Sequence, residues 1–137
     1  MEYHISESEY RFMEILWEEE PVSSMDMVRF CSERLNWKKS TTYTVIRKLS
    51  EKKIVNSEHT IVHSLVSRGC MQRQESDRFL KRKFGGSLPS FITAYLQDRK
   101  LTKEEAERLQ KLIQDATEDG WNGAEECGYE KDFAGRG

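Results

Sequence analysis

Residues 23–66 read SSMDMVRFCSERLNWKKSTTYTVIRKLSEKKIVNSEHTIVHSLV, and they contain the signals that determine the architecture of this 137-residue chain. Ser23 followed by Asp26 is a helix-start signal, and the apolar residues after it recur with helical spacing. This pattern predicts a helix over about residues 24–35. Ser40 is then expected to cap another helix, which runs to about Lys53.

The end of this stretch has the pattern of a small β-hairpin. The polar residues 56–59 separate two short runs that are rich in β-branched and apolar side chains. Upstream, Ser6 and Glu9 match a capping box, which predicts a first helix over about residues 7–18. Three short helices followed by a hairpin is the order of a winged helix-turn-helix domain, which we predict over residues 1–68.

Three further helices are predicted downstream, over about residues 69–84, over 88–96, and from the Thr102 cap to near Gly120. Because three such helices cannot enclose a core, their apolar stripes should pack against a second copy of the chain. We therefore predict a helical dimerisation domain over residues 69–119 and a flexible tail over residues 120–137. The side chains expected at the dimer interface are Phe79, Leu80, Phe84, Leu88, Phe91, Ile92, Tyr95, Leu96, Leu109, Leu112 and Ile113. The predicted fold class is mainly α with a small β-hairpin.

Composition excludes several classes of protein. The chain is too short for a large multidomain enzyme, and with 36% hydrophobic and 34% charged residues it predicts a modest core under a charged surface. It has no apolar run of the ~18 residues that cross a bilayer and no secretion signal, so we expect a cytoplasmic protein without membrane insertion. The three cysteines have no CxxC spacing and are expected to be reduced thiols. No metal site and no cofactor are predicted.

The charged residues are distributed unevenly along the chain. The formal charge is −7 over residues 1–33, +6 over 34–68, +4 over 69–100 and −5 over 101–137. A basic middle of this kind is typical of proteins that bind a polyanion, because clustered Lys and Arg neutralise phosphates and release counterions. On charge alone, a solvated charged surface is an equally good interpretation.

The third predicted helix carries the strongest functional signal. If Thr42, Val45, Ile46 and Leu49 are buried, the opposite face presents hydroxyls near the helix start and cations further along. Hydroxyl and methyl groups suit base edges in the major groove, and cations suit the phosphates beside it. The residues predicted to contact double-stranded DNA are Lys38, Lys39, Ser40, Thr41, Tyr43, Thr44, Arg47, Lys48 and Lys52.

With these residues in view, the sequence resembles the BlaI/MecI penicillinase-repressor family, which also includes copper-responsive repressors. The motifs that carry the resemblance are ISESEYRFMEILWEEEPVSSMDMV at 5–28, TTYTVIRKLSEKKIV at 41–55, LVSR at 65–68, FLKRKFGGSLPSFITAYL at 79–96 and LTKEEAERLQKLI at 101–113. The resemblance implies a homodimeric repressor that binds inverted-repeat operators and blocks transcription of resistance or metal-homeostasis genes. By position, Thr41, Tyr43 and Thr44 look like its base-reading face.

The sequence also departs from the family pattern at three places. The family is derepressed when a membrane sensor protease triggers cleavage at a bond that is typically Asn-Phe, and the matching bond here is Ala94-Tyr95. The hairpin looks shorter than in many relatives and lacks their Gly-Arg turn, which leaves Asn56, Ser57 and His59 as wing contacts. Where the copper-responsive branch has paired CxC motifs, this chain has only Cys127.

No catalytic triad, paired buried carboxylate or phosphate-binding glycine loop can be assembled, so we expect a protein that is not an enzyme.

Two alternatives to DNA binding remain open from the sequence. The exposed helix face could instead dock a protein partner without binding DNA. A redox or ligand sensor that uses Cys70 or the tail is the other alternative.

Overall fold

The structure is a computed structural model that describes residues 3–117. This part of the chain divides into two units, one ending at Gln74 and the other beginning at Glu75. Its elements are α1 (Glu7–Glu19), β1 (Val22–Ser23), α2 (Ser24–Leu35), α3 (Lys39–Glu51), β2 (Val55–Glu58), β3 (Ile61–Ser64), α4 (Arg68–Phe84), α5 (Leu88–Leu96) and α6 (Lys103–Thr117). The mainly helical fold with a small antiparallel sheet confirms the predicted fold class.

The first two helices begin where the sequence predicts. The Ser6 hydroxyl accepts a hydrogen bond from the Glu9 amide at 3.2 Å, and the Glu9 carboxylate accepts one from the Ser6 amide at 2.7 Å. The Ser23 hydroxyl accepts from the Asp26 amide at 3.0 Å at the start of α2. Each bond satisfies a backbone donor that the helix itself leaves unpaired.

The start of α3 differs from the prediction. Lys38 is the N-cap and its side chain makes no capping hydrogen bond, so the expectation that Ser40 caps this helix is wrong. The chain has already turned at Lys38, whose carbonyl accepts from the amides of Thr41 and Thr42 at 3.0 and 3.2 Å. Ser40 therefore lies inside the first turn, and its hydroxyl is left on the surface.

A three-stranded antiparallel sheet in the order β1-β3-β2 replaces the predicted two-stranded hairpin. β2 and β3 pair from Val55 opposite Ser64 to Glu58 opposite Ile61. His59 and Thr60 form the turn between them with φ angles of 52° and 66°. The additional strand, β1, is only two residues long, too short to produce an alternating pattern that a sequence could reveal.

The first unit has a hydrophobic core under α3 and the sheet. α1 contributes Phe12, Met13 and Leu16, which are fully buried, and α2 contributes Met27. The predicted inner face of α3 is confirmed, because Thr42, Val45, Ile46 and Leu49 are all buried. Since these side chains anchor α3 on one side, the opposite side of the helix must face solvent.

The second unit, described up to Thr117, is built differently. Gly85 and Gly86 have positive φ angles of 58° and 82° and end α4, because left-handed backbone favours glycine there. Between residues 75 and 117 no residue is buried. The predicted flexible tail over 120–137 lies outside the described residues.

The cysteines differ in their state. Cys31 is a free thiol that is fully buried, and burial raises its pKa, which disfavours the thiolate form that acts as a nucleophile. Cys70 is also buried but is disulfide-bonded, so the expectation of a reduced thiol is wrong for this residue. Spacing along a chain does not reveal which sulfurs meet in the fold. Cys127 lies beyond the last described residue.

Candidate nucleic-acid interface

The exposed face of α3 is where most of the predicted DNA-binding residues meet. The core residues of α3 hold the helix so that six polar side chains project from the opposite side. These exposed residues are Ser40, Thr41, Tyr43, Thr44, Arg47 and Lys48. Lys38 and Lys39, also exposed, stand at the start of the helix. The structure therefore gathers eight of the nine predicted residues on a single helix face and at its entry.

A groove runs beside this face, between α3 and the start of α1. Its volume is about 660 Å³, and it is lined by Ser6, Ser8, Glu9, Ser40, Thr41, Thr44, Val45, Lys48 and Lys52. The hydroxyls of Ser6 and Ser8 add donors that the sequence analysis missed. The sequence marks Ser6 only as a helix cap, and nothing in its sequence position indicates that it lies near α3.

Two of the cations on α3 are held by weak local contacts. The Lys39 ammonium lies 5.9 Å from the centroid of the Tyr43 ring, and the Arg47 guanidinium lies 3.3 Å from the Glu51 carboxylate. The Arg47 and Glu51 side chains are both more than 60% exposed. An exposed ion pair one helical turn apart contributes only about 0.3–0.5 kcal/mol, and an exposed cation–π contact about 0.5–1 kcal/mol, so both cations can exchange these contacts for phosphate oxygens.

Lys52 has a different environment from the other cations. Its Nζ donates to both carboxylate oxygens of Glu9, at 2.9 and 3.1 Å, and to the His4 carbonyl at 2.9 Å. Glu9 is 5% exposed. Burial alone would raise the pKa of Glu9, but the bonds from Lys52 and the Ser6 amide, with the Lys52 charge, together lower it. The ninth predicted DNA contact is therefore part of a partly buried ion pair.

The wing presents a short polar tip. Ser57, Glu58, His59 and Thr60 are exposed there, and the Ser24 amide donates to the Thr60 carbonyl at 2.8 Å. At the base of the wing, the Glu20 carboxylate accepts from the amide of Ser64 at 2.6 Å and from its hydroxyl at 2.8 and 2.9 Å. These bonds fix the hairpin to the body of the unit. Of the three predicted wing contacts, Ser57 and His59 are exposed and Asn56 is half-buried.

The second unit exposes a large share of its apolar residues. Leu88 is 51% exposed, Leu112 is 61% and Ile113 is 60%. Phe79, Phe84, Phe91 and Tyr95 form a cluster of rings whose neighbouring centroids lie 5.4–6.1 Å apart. An apolar groove of about 350 Å³ runs between α5 and α6, lined by Phe91, Ile92, Tyr95, Leu96, Leu101, Glu105, Arg108, Leu109 and Leu112. The residues predicted to form a dimer interface are thus partly open to solvent in the single chain.

The bond between Ala94 and Tyr95 lies inside α5, and both residues are exposed. The Arg99 guanidinium lies 4.5 Å from the centroid of the Tyr95 ring and donates to the Tyr95 carbonyl at 3.2 Å. Because proteases act on extended chain, α5 has to unwind locally before this bond can be cut.

Within residues 3–117, no three His, Cys, Asp or Glu side chains come together as metal ligands. Over the same residues, no helix has the length and apolar character needed to cross a membrane.

Comparison with known proteins gives one consistent answer. The profile of the family described as penicillinase repressor matches residues 5–115. The chain is 24% identical to the methicillin resistance regulatory protein MecI of Staphylococcus aureus strain Mu50 over 81% of this chain and 94% of the relative. It is 21% identical to the penicillinase repressor of Bacillus licheniformis over 81% and 90% of the two chains, and 24% identical to that of Staphylococcus aureus over 81% and 91%.

Proposed function

This chain belongs to the penicillinase repressor family and is a transcriptional repressor, and from that premise we propose that it acts as a homodimer on an inverted-repeat DNA operator. We name α3 the recognition helix. The observation that carries the proposal is its exposed face. Ser40, Thr41, Tyr43 and Thr44 would read base edges in the major groove. Lys38, Lys39, Arg47 and Lys48 would contact the phosphates on either side.

Dimerisation is supported by the second unit. A stable interface needs on the order of 1,000 Å² of buried surface, and this unit has exposed apolar side chains and no buried residue between 75 and 117. A second copy would cover the groove between α5 and α6 and the ring cluster beside it. Two recognition helices tethered in this way would enter half-sites one helical turn apart, about 34 Å, or a small multiple of it.

The regulated genes are proposed from the relatives. Relatives of this chain are named as a methicillin resistance regulator and as penicillinase repressors, so we expect control of antibiotic-resistance genes. Induction by a membrane sensor protease at Ala94-Tyr95 remains our expectation for the inducing step. It would destroy α5 and with it the dimer surface.

The direct test is fluorescence anisotropy of the purified chain with a labelled inverted repeat from upstream of its own gene. A scrambled duplex serves as competitor, and the titration is repeated over a salt series. We expect tight binding at two chains per site that survives the competitor and weakens steeply with salt. No preference over scrambled DNA, with every inverted repeat in that upstream region tested, would contradict the proposal and favour the protein-interaction alternative.

A further inference from the structure

We propose that Lys52 is a positioning residue, which orients the recognition helix through Glu9, and that it does not contact DNA phosphate. The inference rests on the operator binding proposed above and assigns a role within it. It differs from the prediction made from the sequence, which grouped Lys52 with the phosphate-binding cations.

The geometry around the Lys52 ammonium leaves little capacity for a further ligand. A lysine ammonium has three N–H donors, and Nζ lies 2.9 and 3.1 Å from the two Glu9 oxygens and 2.9 Å from the His4 carbonyl. The Glu9 side chain is only 6% exposed, whereas the Lys52 side chain is 41% exposed. If Lys52 moved to a phosphate, it would leave a buried carboxylate without its cation, which is strongly unfavourable.

The same carboxylate connects two helices. Glu9 Oε1 also accepts from the Ser6 amide at 2.7 Å, so it belongs to the first turn of α1. Lys52 is the C-cap of α3. The ion pair therefore ties the end of the recognition helix to the start of α1, and the buried Phe12 and Met13 anchor α1 in the core.

Lys48 provides the contrast within the same helix. It is exposed one turn before Lys52, lines the same groove, and has no ion pair among residues 3–117. Its ammonium is available to a phosphate without breaking an internal contact. Two lysines four residues apart are thus expected to act in different ways.

The consequence for DNA binding follows from what each kind of contact demands. Base contacts by Thr41, Tyr43 and Thr44 depend on the orientation of the helix, whereas phosphate attraction tolerates small changes of orientation. Loss of the Glu9–Lys52 pair should therefore weaken binding to an operator more than binding to random DNA.

The test compares Lys52→Gln, Glu9→Gln, the double variant and Lys48→Gln as the matched lysine control. Anisotropy is measured with the operator and with a random duplex over a salt series, at a temperature where circular dichroism shows each variant to be folded. Lys48→Gln should reduce the slope of log affinity against log salt by about 0.9, since one phosphate contact is lost. Lys52→Gln should leave that slope unchanged and lower operator affinity by roughly tenfold, with a smaller loss on random DNA.

Glu9→Gln should change operator affinity in opposite directions if Glu9 acts only through its charge and if it positions the recognition helix. Removing a negative charge beside the DNA would, by charge alone, raise affinity. If Glu9 positions the helix through Lys52, operator affinity should fall instead. In the Glu9→Gln background, Lys52→Gln should then have little additional effect, because the two residues act as one unit.

A slope reduced by about 0.9 in Lys52→Gln, or additive effects of the two substitutions on operator affinity, would overturn the proposal. If Lys52→Gln does not fold, the test is made on the wild-type protein by NMR of its lysine ammonium groups. Addition of the operator should then change the chemical shift of the Lys48 ammonium but not that of Lys52. A shift of Lys52 as large as that of Lys48 would also overturn it. Failure of the wild-type protein to prefer the operator over random DNA would instead defeat the proposed function.

Discussion

Thr44 lies near the middle of the exposed face of the recognition helix, one turn after Ser40, and presents both a hydroxyl and a methyl group. If it reads a base edge, Thr44→Ala should weaken operator binding by about 1–3 kcal/mol and leave binding to random DNA unchanged. Competition titrations with both duplexes measure this difference. Lys48→Ala is the control and should weaken both complexes alike. An equal loss on both duplexes for Thr44→Ala would count against base reading.

Glu9 makes the stability of the first unit dependent on acid. Its pKa is lowered in the folded chain, so the ion pair stabilises the fold above the ordinary pKa of 4.5. That contribution is lost as the pH falls through the lowered value. In urea titrations over a pH series, we expect wild type to be more stable than Glu9→Gln near neutral pH. The difference should shrink progressively below about pH 4.5, and a difference that did not change with pH would contradict the assignment.

The residues of α3 show which features could be predicted from the sequence alone and which could not. Helical periodicity sufficed to assign Thr42, Val45, Ile46 and Leu49 to the buried side, because a single face of a helix is determined by local spacing. The ion pair of Lys52 could not be predicted in this way. Glu9 lies 43 positions earlier in the chain, and only the packing of α1 against α3 brings the two together.

At the level of elements, the end of α3 contains a strained residue. Lys53 has a φ of 63°, its amide donates to the Ser50 carbonyl at 3.0 Å, and the Ile54 amide donates to the Leu49 carbonyl at 2.9 Å. This is a Schellman motif, whose left-handed position favours glycine. Lys53→Gly should therefore be more stable than Lys53→Ala by about 1 kcal/mol, as measured by urea denaturation. Both variants remove the same charge, so equal stabilities would show that the backbone is not strained.

Element boundaries were predictable where a side chain caps the helix and not where the backbone turns without one. Ser6 and Ser23 mark the starts of α1 and α2 through hydrogen bonds between neighbours in sequence. At α3 the turn begins at Lys38 without a side-chain cap. The prediction was wrong there because it took the hydroxyl of Ser40 as the cap. Strand β1 depends on pairing with β3, nearly 40 residues later in the chain, so local pattern could not indicate it.

At the scale of the whole chain, the two units differ in how completely they bury their apolar residues. The first unit has a core with fully buried Phe12, Leu16 and Leu49. The second unit has apolar stripes on α5 and α6 and no buried residue between 75 and 117. A helical unit of this kind gains most of its hydrophobic stabilisation only when another surface covers it. We therefore propose that a second copy of the same unit provides this surface, because an interface between two identical copies can be self-complementary.

Leu112→Glu tests this assembly. Leu112 is 61% exposed in the protomer, so a carboxylate there should leave the isolated fold intact while placing charge in the dimer interface. Gln114→Glu, which adds the same charge at another exposed position of α6, is the control. In sedimentation equilibrium, wild type and Gln114→Glu should have twice the 16.1 kDa chain mass, and Leu112→Glu should have the mass of a single chain.

Operator affinity of Leu112→Glu should then fall by about 10²-fold or more, because the second recognition helix is no longer tethered. A Leu112→Glu protein that remained dimeric would place the interface elsewhere, and a monomeric wild type that still bound the full operator tightly would remove the need for a dimer.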